Sequence, residues 1–185
     1  QEYRTVLALK PDLPGIHEVI GRNLVRDGKL PEALKEFNAE IEIQPRSASA
    51  HMNAGRVLLM MGDDEGAGKM LNSALKMDRP PLETYSLLGK LDLRRNDYRA
   101  AISVLTHYVS IVKDNSSAYY LLASAYRAVG EKAQMNSVLA LYKQTSQDAQ
   151  QRSLAQKELA RLSGKSQVAE EAADLKDAVA ISNNH

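Results

Sequence analysis

The sequence predicts an all-α protein made of repeated helix–turn–helix units, and three observations support this fold class. A shift of 34 residues aligns the chain with itself, and a period of this length is typical of helical solenoids. Within each unit, apolar residues recur with the 3.6-residue period of an α-helix. A turn signal that contains Gly, Asp or Asn separates the two apolar stripes of each unit. We therefore expect stacked antiparallel helix pairs.

The first helix of each unit carries a small residue at one fixed position of the repeat. This column contains Gly21, Gly55, Gly89 and Ala123. In the first unit, Gly21 shares a helical face with His17, Ile20 and Leu24, at spacings of 3, 1 and 3 residues. The second helix shows the same period in Leu30, Ala33, Leu34, Phe37 and Ile41. A small residue on an apolar face indicates that two helices pack closely there.

These columns resemble the tetratricopeptide repeat (TPR) family. The family pattern of a large residue, Leu-Gly, Tyr, Ala-x-x-x-Phe and a closing Pro is matched by His17, Ile20-Gly21, Leu24, Ala33 to Phe37 and Pro45. The resemblance implies a right-handed superhelical solenoid. The sequence departs from the pattern where His17 and His51 replace an aromatic residue, where Asp92 replaces Leu or Tyr, and where Glu40 replaces a small residue.

The pattern divides the chain into repeats and end segments. We expect a remnant second helix at 1–10, four repeats at 14–45, 48–80, 82–114 and 116–145, a capping helix at 147–163 and a weakly amphipathic or disordered tail at 165–185. The remnant helix would expose apolar surface, which predicts self-association through this end unless other residues cover it. In the tail, an apolar stripe of Val168, Ala172, Leu175 and Val179 is surrounded by Glu170, Glu171, Asp174 and Asp177.

The composition excludes several classes of protein. Of 185 residues, 24 are Lys or Arg and 23 are Asp or Glu, and cysteine is absent. The even charge disfavours nucleic-acid binding, and the absence of cysteine removes disulfides, thiol nucleophiles and cysteine zinc sites. No apolar run reaches the roughly 18 residues of a membrane span. We expect no membrane insertion and a soluble protein, either cytoplasmic or, if a signal segment was removed, exported.

No motif predicts catalysis, a cofactor or a metal site. His17 and Glu18 start like the helical zinc protease motif, but Gly21 occupies the place of the second His. Between Gly62 and Gly68 lie five residues instead of the four of a phosphate loop, and Met70 follows the lysine where Ser or Thr is needed. We therefore expect a protein without enzyme activity and without a cofactor.

The candidate site is the face of the first helices that avoids the Ile20-Gly21-Leu24 stripe. In the TPR family the first helices line a concave groove that receives a peptide or helix of a partner, and the resemblance implies the same here. The candidate residues are Arg22, Arg26, Met52, Asn53, Arg56, Leu59, Lys90, Arg94, Tyr120 and Arg127. We expect Met52, Leu59, Met60 and Leu93 to be exposed there, with Glu18 as the only acid. The alternative is a solvated helix face that binds nothing.

The leading hypothesis is a non-enzymatic interaction scaffold that binds an acidic peptide or helix of a partner protein, with Arg22, Arg56 and Lys90 as anchors. The alternative is an accessory TPR module of a larger enzyme, receptor or assembly complex whose active part lies outside this chain. One TPR subclass clamps the C-terminal carboxylate of chaperone tails with a Lys and an Asn in its first repeat. Glu18 and Arg22 stand at the corresponding positions here, which disfavours chaperone-tail binding although Asn53 matches one clamp residue.

Overall fold

The structure of the chain, a computed structural model, describes residues 12–154, 156 and 157. Helices joined by short turns make up this part of the chain, and no strand occurs in it. The helices are α1 (Ile16–Arg26), α2 (Leu30–Ile43), α3 (Ala48–Met61), α4 (Asp64–Leu75), α5 (Glu83–Arg94), α6 (Tyr98–Ile111) and α7 (Ser116–Val129), followed by α8 over residues 132–154. The prediction of an all-α solenoid is confirmed.

The helices pack as antiparallel pairs, and the pairs stack on one another. Helix α1 contacts α2, α3 contacts α4 and α5 contacts α6, while the contacts of α2 with α3, α4 with α5 and α6 with α7 join each pair to the next. The first helices also touch in succession, since α1 contacts α3, α3 contacts α5 and α5 contacts α7. In contrast, α2, α4 and α6 do not contact one another. The stack therefore curves towards α1, α3, α5 and α7, which we call the inner layer.

Polar side chains at the turns define where most of these helices begin and end. Four residues cap helix starts by accepting a backbone N–H three residues later: Ser47 at 3.2 Å, Asp63 at 2.9 Å, Asp97 at 3.2 Å and Asn115 at 3.1 Å. Helices α3 and α7 end at Gly62 and Gly130, whose φ angles of 85° and 80° lie in the left-handed region. Glycine adopts that conformation without steric cost, so the turn signals of the sequence coincide with the observed helix ends.

Helix α1 has no capping side chain of its own, and Glu40 of α2 takes that role. The N–H of Gly15 donates a hydrogen bond of 2.7 Å to Glu40 Oε1, and the N–H of Glu18 donates one of 3.4 Å to Oε2. The Gln44 amide also donates to Oε1, at 2.6 Å. Glu40 is fully buried, and its carboxylate satisfies N–H groups that would otherwise have no partner at the start of α1. This departure from the repeat pattern therefore has a structural reason.

Within the described residues, the buried core consists of three clusters along the stack. The first contains Ala33, Phe37, Ala54 and Val57; the second contains Met52, Leu71, Ala74, Leu87, Leu88 and Leu91; the third contains Ala101, Leu105, Tyr108, Val109, Ala118, Tyr119, Leu122 and Ala125. The small-residue column belongs to this packing. A β-carbon on Gly55 would lie 2.7 Å from Leu71 Cγ, and one on Gly89 would lie 2.4 Å from Leu105 Cγ.

The structure differs from the predicted segments after the fourth first helix. Helix α8 runs through residue 146 without a break, so the end of the repeat predicted at 116–145 and the start of the capping helix predicted at 147–163 form one helix. The reason is that neither Gly nor Pro interrupts residues 143–148, so no residue there breaks the helical backbone.

Several predicted segments lie outside the described residues. These are the remnant helix at 1–10 with its self-association surface, the last part of the capping helix and the tail at 165–185. For the described part, we retain the division into repeats at 14–45, 48–80, 82–114 and 116–145 as a proposal. Each of these ranges holds a first helix of the inner layer and the helix that follows it.

Candidate functional site

The inner layer contains an open groove of about 650 Å³, which we call the central groove. Three successive first helices contribute its walls: Arg56, Leu59 and Met60 from α3, Glu83, Leu87, Lys90, Leu93 and Arg94 from α5, and Leu121 from α7. Aliphatic side chains and a methionine make up its apolar part, and charged side chains stand around them. Four of the candidate residues, Arg56, Leu59, Lys90 and Arg94, meet in this groove.

The chain itself neutralises two of the three cations of the central groove. Arg56 Nη2 lies 2.7 Å from Glu83 Oε2. Arg94 Nη2 lies 2.8 Å from Asp64 Oδ1, and its Nη1 donates to the Leu59 carbonyl at 3.0 Å. The exposed Lys90 forms no ion pair with any residue that the structure describes. Lys90 is therefore the cation of this groove best placed to meet a carboxylate from outside.

The expectation that Glu18 is the only acid of this face is wrong. Glu83 lines the central groove and pairs with Arg56. Glu83 and Leu87 were not among the candidate residues, but their spacing could have indicated them. Glu83, Leu87, Lys90 and Arg94 are spaced by 4, 3 and 4 residues and so share one helical face. Leu121 lies one repeat of 34 residues after Leu87.

At the α1 end of the inner layer, Glu18 binds several of the chain's own donors. Its carboxylate accepts a hydrogen bond from Ser49 Oγ at 2.6 Å and one from Asn53 Nδ2 at 3.2 Å. Arg22 Nη1 lies 3.9 Å from the same carboxylate. The Asn53 side chain is buried, so its amide serves this internal contact. A partner that reached Asn53 would first have to displace Glu18.

Met52 does not have the exposed position that its column predicted. Only 6% of its surface is accessible, because it packs in the second core cluster with Leu71 and Leu87. Leu59 is half-buried and Met60 is 54% exposed. A helix of the inner layer also contacts the first helices on either side of it. Residues at the edge of its inner face are therefore buried against these neighbouring helices. The apolar contribution of α3 therefore comes from Leu59 and Met60.

The remaining candidate residues lie along the inner layer on both sides of the central groove. Arg22 and Asn53 line a smaller cavity of about 140 Å³ with Arg56. Tyr120 and Arg127 line one of about 50 Å³ between α7 and α8, and the Tyr120 ring centre lies 5.8 Å from that of Tyr142. Arg26 is exposed and donates to Asn23 within its own helix, at 3.1 Å. The ten residues thus follow one face but do not form one pocket.

The described carboxyl with a strongly raised pKa lies outside this groove. Burial, assisted by the nearby charge of Asp97, raises the pKa of Asp92 to about 6, and Arg95 opposes this shift. Asp92 lies on α5 but does not line the central groove. Between residues 12 and 157, no three His, Asp, Glu or Cys side chains cluster in a way that could hold a metal ion. The helices of the same part of the chain are too short or too polar to span a bilayer.

The two histidines of the first-helix column have protein partners. His51 is buried, and its Nδ1 lies 3.0 Å from the Ser47 carbonyl oxygen. His17 Nδ1 lies 2.7 Å from Glu36 Oε2. Both ring nitrogens are therefore engaged within the chain, His51 with the residue before its own helix and His17 with α2.

Comparison with known proteins finds that part of this chain is similar to repeat proteins. Residues 19–81 match the family model described as tetratricopeptide repeat. Tetratricopeptide repeat protein 36 of Danio rerio is 35% identical over 60 residues, which is 32% of this chain and 32% of that protein. The chain therefore matches only about a third of the length of that relative.

Solved structures share the fold at low sequence identity. YrrB, a TPR protein with an unusual peptide-binding site, superposes with a TM-score of 0.73 at 16% identity, covering 78% of this chain and 75% of YrrB. MamA has a TM-score of 0.73 at 18% identity, covering 80% and 87%. A MamA fragment from Desulfovibrio magneticus RS-1 has a TM-score of 0.65 at 21% identity, covering 70% and 73%. These likenesses establish the solenoid fold.

Proposed function

We propose that this chain, whose residues 19–81 are tetratricopeptide repeats, is a non-enzymatic scaffold that binds a segment of another protein in its central groove. The fold is one that supports protein–protein interaction. The observation that carries the proposal is the groove itself, because three first helices combine an accessible apolar wall with a lysine that forms no ion pair inside the described residues. Flexible Met60 beside arginine suits recognition of a peptide.

The charges of the groove favour a partner segment that is apolar and modestly acidic. Glu83 and Asp64 already neutralise Arg56 and Arg94, so a polyacidic segment would meet two carboxylates of the chain. A segment with apolar side chains and one Asp or Glu would place the apolar groups against Leu59 and Leu93 and its carboxylate near Lys90. Neighbouring helices lie about 10 Å apart. The span from α3 to α7 is thus about 20 Å, or about six residues of extended peptide.

A selection from a displayed library of random twelve-residue peptides tests this proposal on the full chain. We expect the selected peptides to share apolar residues and one or two carboxylates. Lys90→Glu should weaken their binding about tenfold or more, because it places repulsion where the carboxylate binds. Lys76→Glu is the matched control, since Lys76 is exposed at the end of α4 and outside the groove. Equal binding to both variants, or selected peptides without apolar residues, would contradict the proposal.

A further inference from the structure

The central groove leaves apolar side chains accessible in a chain that carries a complementary segment of its own. Met60 is 54% exposed, and Leu59, Leu93 and Leu121 are half-buried. These side chains form part of one continuous wall. Grouped apolar surface with a charged rim marks a binding site, so its occupant can be sought from the chemistry of the wall and the rim.

The tail at 165–185 has the chemistry that fits this wall. Val168, Ala172, Leu175 and Val179 recur at spacings of 4, 3 and 4 residues, and residues with this spacing share one face when a segment is helical. Between Val168 and Val179 stand four acidic residues and a single basic one, Lys176. The segment therefore combines an apolar stripe with net negative charge.

The inner layer offers more positive than negative charge to such a segment. Its candidate cations are Arg22, Arg26, Arg56, Lys90, Arg94 and Arg127. Glu18, Glu83 and Asp64 neutralise three of them, Arg22, Arg56 and Arg94. The other three form no ion pair with a described residue, and Lys90 is the one that lines the central groove. Opposite charges on the segment and on the inner layer favour their association.

The tail is also close enough to reach the groove of its own molecule. Tyr142 of α8 lies beside Tyr120 of α7, and residue 157 follows 15 residues later, about 22 Å along a helix axis. Adding the spacing of about 10 Å between neighbouring first helices puts residue 157 about 25 to 30 Å from the middle of the groove. The ten residues 158–167 can span up to about 33 Å.

We infer that residues 165–185 occupy the central groove of their own chain, with the apolar stripe against Leu59, Leu93 and Leu121 and an acidic residue at Lys90. The inference rests on the proposed function, because the tail would use the groove proposed for a partner. A short tether gives such a segment an effective concentration of about 1 mM. A partner segment therefore has to compete with the tail, and the tail sets the threshold affinity for binding.

Zero-length crosslinking of amines to carboxylates tests the inference on the full chain. A carbodiimide is applied to an equal mixture of ¹⁴N- and ¹⁵N-labelled protein, and mass spectrometry identifies the joined peptides. We expect Lys90 to be joined to Glu170, Glu171, Asp174 or Asp177, in products that carry a single isotope label. Products with mixed labels would assign the tail to a second copy and overturn the inference. Joining of the tail carboxylates to other lysines but not to Lys90 would also overturn it.

Paired tail variants separate this inference from the proposed function. Leu175→Asp with Val179→Asp breaks the apolar stripe, and we expect the Lys90 crosslink to fall about tenfold and the selected peptides to bind about tenfold tighter. Ala173→Asp with Asn184→Asp adds the same charge on the opposite side of a helix from the stripe and should change neither quantity. If the stripe variant leaves both quantities unchanged while the peptides still bind the groove, the inference fails and the proposed function stands. If no peptide binds even to the stripe variant, the proposed function fails.

Discussion

Glycines of the inner layer allow each first helix to approach its second helix closely. A β-carbon on Gly89 would come within 2.4 Å of Leu105, a fully buried side chain with no space to move. Gly68 of α4 differs, because its nearest neighbour would be the end of the Arg95 side chain at 3.0 Å. The same substitution should therefore have opposite effects at the two positions.

We expect Gly89→Ala to lower the free energy of unfolding by up to about 2 kcal/mol. Overpacking costs about 1 to 3 kcal/mol, and the better helix propensity of alanine returns about 1 kcal/mol. Gly68→Ala is the matched control and should be neutral or stabilising by up to about 1 kcal/mol, because the guanidinium can shift. Urea denaturation followed by circular dichroism measures both. A Gly89→Ala variant as stable as Gly68→Ala would mean that α5 and α6 pack less closely than described.

Asp92 makes the stability of the chain depend on pH. Burial raises the pKa of its carboxyl from 3.8 to about 6, so the folded chain holds this proton more tightly than the unfolded chain does. The resulting stabilisation is complete below pH of about 4 and is lost as the pH rises through about 6. At neutral pH the folded chain therefore contains an unfavourable carboxylate.

Asp92→Asn should remove this pH dependence. At pH 7 we expect the variant to be more stable than the parent by about 1 kcal/mol, a modest gain because solvent still screens the half-buried carboxylate. The difference should vanish near pH 4, where Asp92 itself is neutral. Thermal unfolding at several pH values provides the measurement, with the exposed Asp78→Asn as control. A constant difference between Asp92→Asn and the parent at all pH values would refute the shifted pKa.

At the scale of helices, the start of α1 depends on a side chain of α2. Glu40→Ala removes the acceptor of the Gly15 and Glu18 N–H groups and leaves a buried cavity. We expect a loss of about 2 to 3 kcal/mol and faster hydrogen exchange in Ile16–Arg26. Glu42→Ala on the exposed side of the same helix should stay within about 0.5 kcal/mol of the parent. Unchanged exchange in α1 after Glu40→Ala would exclude the capping role.

The helices could be predicted because the 3.6-residue period of apolar residues and the residue types at turns are local properties of the sequence. Asp63 and Asp97 lie in the predicted turns between the two helices of a unit and cap the helices that follow, and Asn115 caps α7 in the same way. The break expected near residue 146 had no local signal behind it, since it was inferred from the end of the repeat pattern. Glu40 could be seen only as a departure from the pattern, because the N–H of Gly15, its partner, is 25 residues away in the chain.

The candidate site was predictable as a face but not as a pocket. Helical phase placed Leu59, Lys90 and Arg94 on the inner layer, and the structure brings them together in the central groove. Phase could not reveal that Glu83 pairs with Arg56 across two helices. It could not show that Met52 is buried either, because burial there depends on how α3 packs against its neighbours.

For the whole molecule, three separate core clusters imply that a core substitution destabilises mainly the helices around its own cluster. Leu105→Ala affects the third cluster and Phe37→Ala the first, and each should cost about 2 to 5 kcal/mol in its own region. Native-state hydrogen exchange should show loss of protection mainly in α6 and α7 for Leu105→Ala and in α1 and α2 for Phe37→Ala. Equal loss in all helices for both variants would indicate a single cooperative unit.

The inner layer also has a mechanical consequence. Among the helices from Ile16 to Val129, each pair contacts only its neighbours along the stack. Small rotations between successive pairs therefore add up, and the stack can bend and twist along its length. Leu59, Leu93 and Leu121 belong to three successive first helices. A segment bound across them would fix two rotations at once, the one between the pairs that contain α3 and α5 and the one between the pairs that contain α5 and α7. Occupation of the groove would therefore stiffen the stack and set its curvature, so that its two distant ends respond to an event at its middle.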